Sequence, residues 1–171
     1  MLRQMAVILS IVIVNSVLLG GEKISSSEEE FIKKASQRGI KEVELGKLAA
    51  KRGLNKEVKQ FGKMMVNDHS KANKELAKLA AKKKVQIAKQ MDEDHKSEYD
   101  QLAKLAGKEF DKEYVEAMVD DHEEDVEEFE EMAADAEDPD VKQFAKKTLP
   151  TLKKHLEHIE QLSKKMEAME D

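Results

Sequence analysis

Apolar residues return every third or fourth position along four long stretches of the chain. The first stretch places Phe31, Ala35, Arg38, Glu42, Leu45 and Ala49 on one face, and the second aligns Val58, Phe61, Met65, His69, Ala72, Leu76 and Leu79. A third aligns Val115, Met118, His122, Val126, Phe129, Ala133 and Ala136. The last aligns Val141, Ala145, Thr148, Leu152, His155, Ile159, Leu162 and Met166. A period of three to four residues predicts amphipathic helices whose apolar stripes face a common core.

Capping residues predict where the helices begin and end. Ser27 with Glu30 reads as a capping box opening the first helix, and Gly53 suits a left-handed residue closing it. Asn55 caps a second helix that runs to about Lys84, and Asp92 a short helix of about 16 residues ending near Gly107. Asp111 is the expected cap of the next helix, which runs from about Lys112 to Ala136. In "EDPD", Asp138 caps the last helix and Pro139 takes its first position. Four long helices in two hairpins, joined by one short helix, predict an all-α ferritin-like four-helix bundle with a crossover connection. A plain up-down bundle with a decorated loop is the alternative.

Composition agrees with a packed bundle. Charged residues make up 39% of the 171 residues and aromatics 4%, yet the apolar positions keep helical spacing and can bury a continuous face. The chain contains no cysteine, which excludes disulfides, thiolate ligands and a Cys nucleophile. Residues 5–19 lie in an apolar run of about 15 residues that follows Arg3 and leads into Gly20-Gly21. The run is shorter than the roughly 20 residues of a bilayer span. Residues 1–21 therefore read as an export signal, and residues 22–171 as the exported domain, periplasmic or secreted. An uncleaved signal anchoring the chain through residues 5–19 is the alternative, and it is the only membrane contact expected.

From Glu22 onward 29 Lys and Arg face 36 Asp and Glu, a net charge of −7 that offers no basic surface for nucleic acid. The charges are segregated. Residues 111–140 hold 16 Asp and Glu against Lys112 alone, and residues 71–90 hold seven Lys against Glu75. Such runs read as solvated outer faces that attract one another across neighbouring helices, or as a surface for a cation or a basic envelope protein.

Each long helix carries one inward group able to bind a metal: Glu42, His69, His122 and His155. His69 lies about 15 residues after the first hairpin turn, His122 about 16 before the second, and His155 about 17 after it. At 1.5 Å per residue these histidines share one level, whereas Glu42, about 11 residues before its turn, falls roughly a helical turn away. A lone histidine in an apolar seam is a core residue with hydrogen-bonded nitrogens. Several buried polar groups at one depth instead call for a metal ion or for one another. Three imidazoles and a carboxylate suit Fe, Mn, Cu, Ni or Zn.

Asp68 and Asp121 precede two of the histidines and read as exposed carboxylates, or as acceptors orienting a ligand on a neighbouring helix. Met65 and Met118 read as core filler. Pro150 interrupts the last helix five residues before His155, and His95 and His158 fall outside the site.

The stretches "KEVELGKLAAKRGLNKEVKQFGKMMVNDHSKANKEL", "FDKEYVEAMVDDH" and "DPDVKQFAKKTLPTLKKHL" resemble the bacterial exported family named domain of unknown function 4142, of the ferritin-like group. The similarity spans about residues 28–165. It implies a secreted or periplasmic helical bundle, with Glu42, His69, Phe110, Asp111, His122, Pro150 and His155 at the family's recurring positions, and it implies no particular activity.

A ferritin-like di-iron site would need Glu-x-x-His pairs. Val66, Val119 and Leu152 stand three residues before the histidines, so di-iron chemistry does not carry over. No Gly-rich phosphate loop or Ser nucleophile motif is present, and no catalytic residue is assigned. Two functions remain as expectations: a metal-binding bundle for storage, buffering or stress protection, and a metal-free structural or interaction protein of the cell envelope.

Overall fold

The computed structural model describes residues 24–169. Five helices follow in order: α1 (Ser26–Arg52), α2 (Lys56–Lys83), α3 (Glu93–Leu102), α4 (Gly107–Asp135) and α5 (Pro139–Glu167). The expected signal segment, residues 1–21, lies outside the described residues. Among the described residues no helix is long and apolar enough to cross a membrane.

The caps of α2, α3 and α5 are Asn55, Asp92 and Asp138, as the sequence predicts. Others differ, each for a tertiary reason. The capping box of α1 uses Ser25 and Glu28 rather than Ser27 and Glu30. In this register Glu28 accepts from the Ser25 backbone N–H at 2.8 Å and also from the Asp138 N–H at 2.7 Å, tying the start of α1 to the α4–α5 turn.

Asp111 does not cap α4, which begins four residues earlier at Gly107, a glycine at φ +64°. It is buried in the second turn, where its carboxylate accepts from the backbone N–H groups of Leu54 (2.9 Å) and Asn55 (2.5 Å) in the α1–α2 turn. Gly53 is not left-handed (φ −48°). A side chain there would meet the Ala49 carbonyl oxygen at 2.9 Å and Val58 Cγ1 at 3.1 Å.

Ion pairs between helices establish the topology. Lys34, Arg38 and Lys41 on α1 meet Glu128, Asp125 and Asp121 on α4 in descending order, so the two helices are antiparallel neighbours. Glu57, Glu75 and Lys82 on α2 meet Lys165, Lys147 and Asp140 on α5 in the same sense. With α1 and α2 antiparallel in one hairpin and α4 and α5 in the other, α2 and α4 run parallel across the diagonal. The 84–106 connection must therefore traverse the bundle, which is the ferritin-like crossover. Its helix has ten residues rather than 16 and lies against α1 and α4, with Leu102 buried and Glu98 bonded to Lys41 at 2.9 Å. The crossover also separates the two charge runs. The α4 carboxylates pair with cations of α1, while Lys82 and Lys83 of α2 pair with Asp138 and Asp140 at the start of α5.

The hairpins are equivalents in register. Adding 83 to the residue numbers of α1 and α2 reproduces the bounds of α4 and α5 to within two residues, and pairs Glu28 with Asp111, Asn55 with Asp138, Val58 with Val141 and Phe61 with Phe144. Glycines set the spacing of the first hairpin. A Cβ on Gly46 would lie 2.8 Å from the Gly62 carbonyl oxygen, and one on Gly62 would lie 2.6 Å from that of Gly46, so the α1 and α2 backbones touch there.

The apolar core divides into two clusters. One surrounds Phe31, Phe129 and Phe144, and the other Phe61, Phe110 and Tyr114. A buried polar layer separates them.

Candidate metal centre

The dividing layer contains all four residues that the helical stripes single out. Glu42, His69, His122 and His155 are buried, one on each long helix. One imidazole nitrogen from each histidine lies within 4.8 Å of the others. Two nitrogens bound to one ion at roughly 2 Å each stand at most about 4 Å apart, so the widest pair must draw in by about an ångström.

Glu42 is level with the histidines, against the sequence count. Its Oε2 lies 2.6 Å from His69 Nδ1 and its Oε1 3.6 Å from His122 Nε2. The count had taken Gly53 as the turn, whereas the first hairpin is centred near Asn55, thirteen residues after Glu42 and fourteen before His69.

Partners on the far side of each ring determine which nitrogen is presented. The Nδ1–H of His122 donates to the Met118 carbonyl at 2.8 Å, and the Nε2–H of His155 donates to Asp68 Oδ2 at 3.3 Å. The close carboxylate of Glu42 favours the ring proton of His69 on Nδ1. The remaining nitrogens, His69 Nε2, His122 Nε2 and His155 Nδ1, then carry bare lone pairs, and each is buried without a hydrogen-bond partner. Both oxygens of Glu42 are also without a hydrogen bond, the 2.6 Å approach to His69 being poorly angled for one.

Burial holds the imidazoles neutral and raises the carboxyl of Glu42. It lowers His69, and it lowers His122 and His155 to about 4, with His69 adding to the effect at His155. It raises Glu42 to about 7, against the pull of His122. The rings are therefore neutral and able to ligate at physiological pH. Phe61 closes the floor of the layer, its ring centroid 6.1 Å from that of His122 and 6.4 Å from that of His155.

Beside this cluster stands a second buried carboxylate, Asp125. Its Oδ1 accepts from Arg38 at 3.0 Å, and the same guanidinium holds Glu128 at 3.0 Å and Glu124 at 2.8 Å. Burial and the nearby Glu42 push Asp125 up to about 8, with Arg38 opposing. Asp125 escapes the sequence pattern because the apolar Val126 next to it takes the same helical step, and Val126 is only partly buried. The signal for Asp125 was its three-residue spacing from His122.

Asp68 and Asp121 are half-buried rather than exposed, and Asp68 takes the alternative place of an acceptor beside a histidine on a neighbouring helix. Asp68 holds His155, and Asp121 accepts from Lys41 at 2.7 Å. Met65 and Met118 are buried in the cluster below the histidines, as expected of core filler. His158 is exposed on α5 and His95 lies on α3 beside Asp92, so neither joins the site.

The profile of the family described as domain of unknown function (DUF4142) matches residues 19–162. The chain belongs to this family. No curated protein matches it. Among solved structures, this DUF4142 chain is similar to a DUF305 fragment from Deinococcus radiodurans, with a TM-score of 0.72 and 14% identity over 83% of this chain and 98% of that one. It is also similar to CopM in its Cu(I)-bound form (TM-score 0.67) and its Cu(II)-bound form (TM-score 0.68). Each of these is 16% identical over 81% of this chain and 96% of that one. At such identities the likeness establishes a shared helical-bundle fold.

Proposed function

We propose that this DUF4142 protein binds one transition-metal ion at mid-bundle through one ring nitrogen each of His69, His122 and His155, with Glu42 as the fourth group, and serves as an exported metal-buffering or storage protein. One observation carries the reading: three buried imidazoles each bring a ring nitrogen within 4.8 Å of the others, and each ring has a buried nitrogen without a hydrogen-bond partner. Leaving such groups without a partner costs roughly 1–3 kcal/mol each, a penalty that a bound ion removes. The donor set of three neutral imidazoles and one carboxylate suits Cu, Zn, Ni, Fe or Mn. Copper is the first metal to test, because CopM, of similar fold, is known in Cu(I)- and Cu(II)-bound forms. Export is supported by the apolar run of residues 5–19.

The test is metal analysis and calorimetry on residues 22–171, without a His-tag, using Cu(II), Zn(II) and Ni(II). The expected result is one ion per chain in the wild type, and affinity at least about 100-fold weaker in the His69→Ala/His122→Ala double variant. Equally poor binding by both proteins would overturn the reading.

A further inference from the structure

We infer that the cation reaches the polar layer through the seam between α2 and α5, with Asp68 as its first fixed contact. This rests on the metal reading above and adds the route.

Three of the four site residues have no outward connection. Glu42 and His122 face the interior, and His69 meets only Glu42 and the other two rings, with no bond to a residue lining a groove. His155 differs. The nitrogen turned away from the cluster holds Asp68, whose side chain is 27% exposed. Asp68 in turn lines an open groove of about 260 Å³ with Lys71, Ala72, Glu75, Lys147, Thr148 and Thr151. One carboxylate–imidazole contact therefore links solvent to the site. A hydrated cation held by Asp68 is one imidazole ring away from His155 Nδ1.

The groove's own charges do not oppose a cation. Lys147 is held by both oxygens of Glu75 at 2.7 Å, and Lys71 lies 3.4 Å from Asp68 itself. The wall on the α5 side is built of Lys147, Thr148 and Thr151. Pro150 has no N–H to give the Lys146 carbonyl, so this turn of helix lacks one backbone bond next to the groove.

A larger groove of about 660 Å³ opens on the opposite side between α1, α3 and α4, and is lined by Glu98, Glu109, Glu113, Asp120 and Glu124 among others. It looks the better cation funnel, but its lining argues against it. Arg38 and Lys41 stand there, on the helix that carries Glu42, and Lys41 is fastened to both Glu98 and Asp121. None of this groove's lining residues bonds to Glu42 or to the three histidines, whereas Asp68 in the smaller groove bonds to His155. At the α2–α5 seam a cation meets a carboxylate and then a neutral ring.

Opposing plugs test the route. Cu(II) uptake and its release to EDTA are followed by stopped flow in the wild type, Thr151→Trp, Asp68→Asn and Ala117→Trp, with equilibrium affinity measured in parallel. Filling the α2–α5 groove with Thr151→Trp should slow uptake and release together by about tenfold or more, leaving the equilibrium constant nearly unchanged. Asp68→Asn keeps an acceptor for His155 but removes the charge, so uptake should slow and lose its dependence on ionic strength. Ala117→Trp, which fills the larger groove, should bind at the wild-type rate. If Thr151→Trp does not fold, Ala72→Phe plugs the same groove from α2.

Wild-type rates in the groove-filling variant, or slow uptake in Ala117→Trp, would overturn the route while leaving the site intact. Failure of the wild type to take up Cu(II) at equilibrium would overturn the site, and the route with it.

Discussion

The two hairpins are built alike at their ends and differently at their middle. Across the 83-residue offset, Glu28 and Asp111 are both buried carboxylates that accept backbone N–H groups from the turn of the opposite hairpin. Asn55 and Asp138 both cap a helix, and Phe61 and Phe144 anchor one core cluster each. At mid-length the correspondence fails. His69, His122 and His155 stand opposite Leu152, Gly39 and Ala72, and the two carboxylates that do correspond, Glu42 and Asp125, have unlike surroundings.

Asp125 is bonded to the Arg38 guanidinium, whereas Glu42 has no cation of its own and faces neutral rings. A buried carboxylate with an Arg partner is accounted for by folding. One without a cation, among three imidazoles, calls for a ligand. Repeated positions thus report the scaffold, and unmatched ones the site.

The largest effect expected tests the scaffold equivalence. Phe61→Ala and Phe144→Ala should each cost about 3–5 kcal/mol in urea unfolding, because each leaves an aromatic cavity in one cluster. Only Phe61→Ala should also weaken metal binding, since Phe61 backs two of the imidazoles. A near-neutral result at either position would break the equivalence.

The next comparison separates the carboxylates. Asp125→Leu leaves Arg38 short of its most buried partner and should destabilise the metal-free protein by roughly 2 kcal/mol. Glu42→Leu removes an uncompensated buried acid and should be neutral or stabilising while abolishing metal binding. Equal losses in thermal or urea unfolding would show that the two carboxylates do the same work.

A pH series sharpens the same contrast. Between pH 6.5 and 8 the unfolded imidazoles, ordinarily near 6.5, shed their remaining protons while the buried rings are already neutral, which offsets part of the carboxyl effect. Glu42 and Asp125, raised to about 7 and about 8, still hold protons in the folded chain that the unfolded chain has released. Metal-free stability should therefore fall by roughly 1 kcal/mol as pH rises from 6.5 to 8. Below 6.5 the unfolded imidazoles take up protons that the buried rings refuse. This opposes the carboxylates and flattens the curve down to about pH 4. Glu42→Gln should remove part of the decline above pH 6.5, and a flat wild-type midpoint across that window would refute the assignment.

The smallest effect concerns the caps. Asn55→Ala and Asp138→Ala should each cost about 1 kcal/mol, with Asp138 the larger because it also binds Lys83. Unfolding by urea distinguishes the two if the difference exceeds a few tenths of a kcal/mol.

Much of this was legible along the chain because helices are local objects. The stripe containing His69 and the stripe containing His122 need only the 3.6-residue period to place each ring inward, and Asn55, Asp92 and Asp138 cap the helices that follow them directly. The failures share one cause: each residue concerned is held by a partner distant in sequence. Asp111 looks like a local cap but bonds to Leu54 and Asn55. Glu28 displaces Glu30 from the capping box because the α4–α5 turn also needs it. Asp125 was hidden behind Val126 because only Arg38, 87 residues earlier, makes a buried aspartate tolerable there.

The sequence by itself determined five helices, their inward faces and one inward polar group on each long helix, since backbone hydrogen bonding and side-chain periodicity operate within a few residues. Tertiary structure alone decided that Glu42 stands level with the histidines and that Arg38 bonds to Asp125 rather than to Glu42. It also decided that Asp68 meets His155 while Asp121 meets Lys41. Those outcomes depend on how far one helix slides along another and which charge it then meets. Such distances are set by packing, here by backbones in contact at Gly46 and Gly62, and are written in no single stretch of the chain.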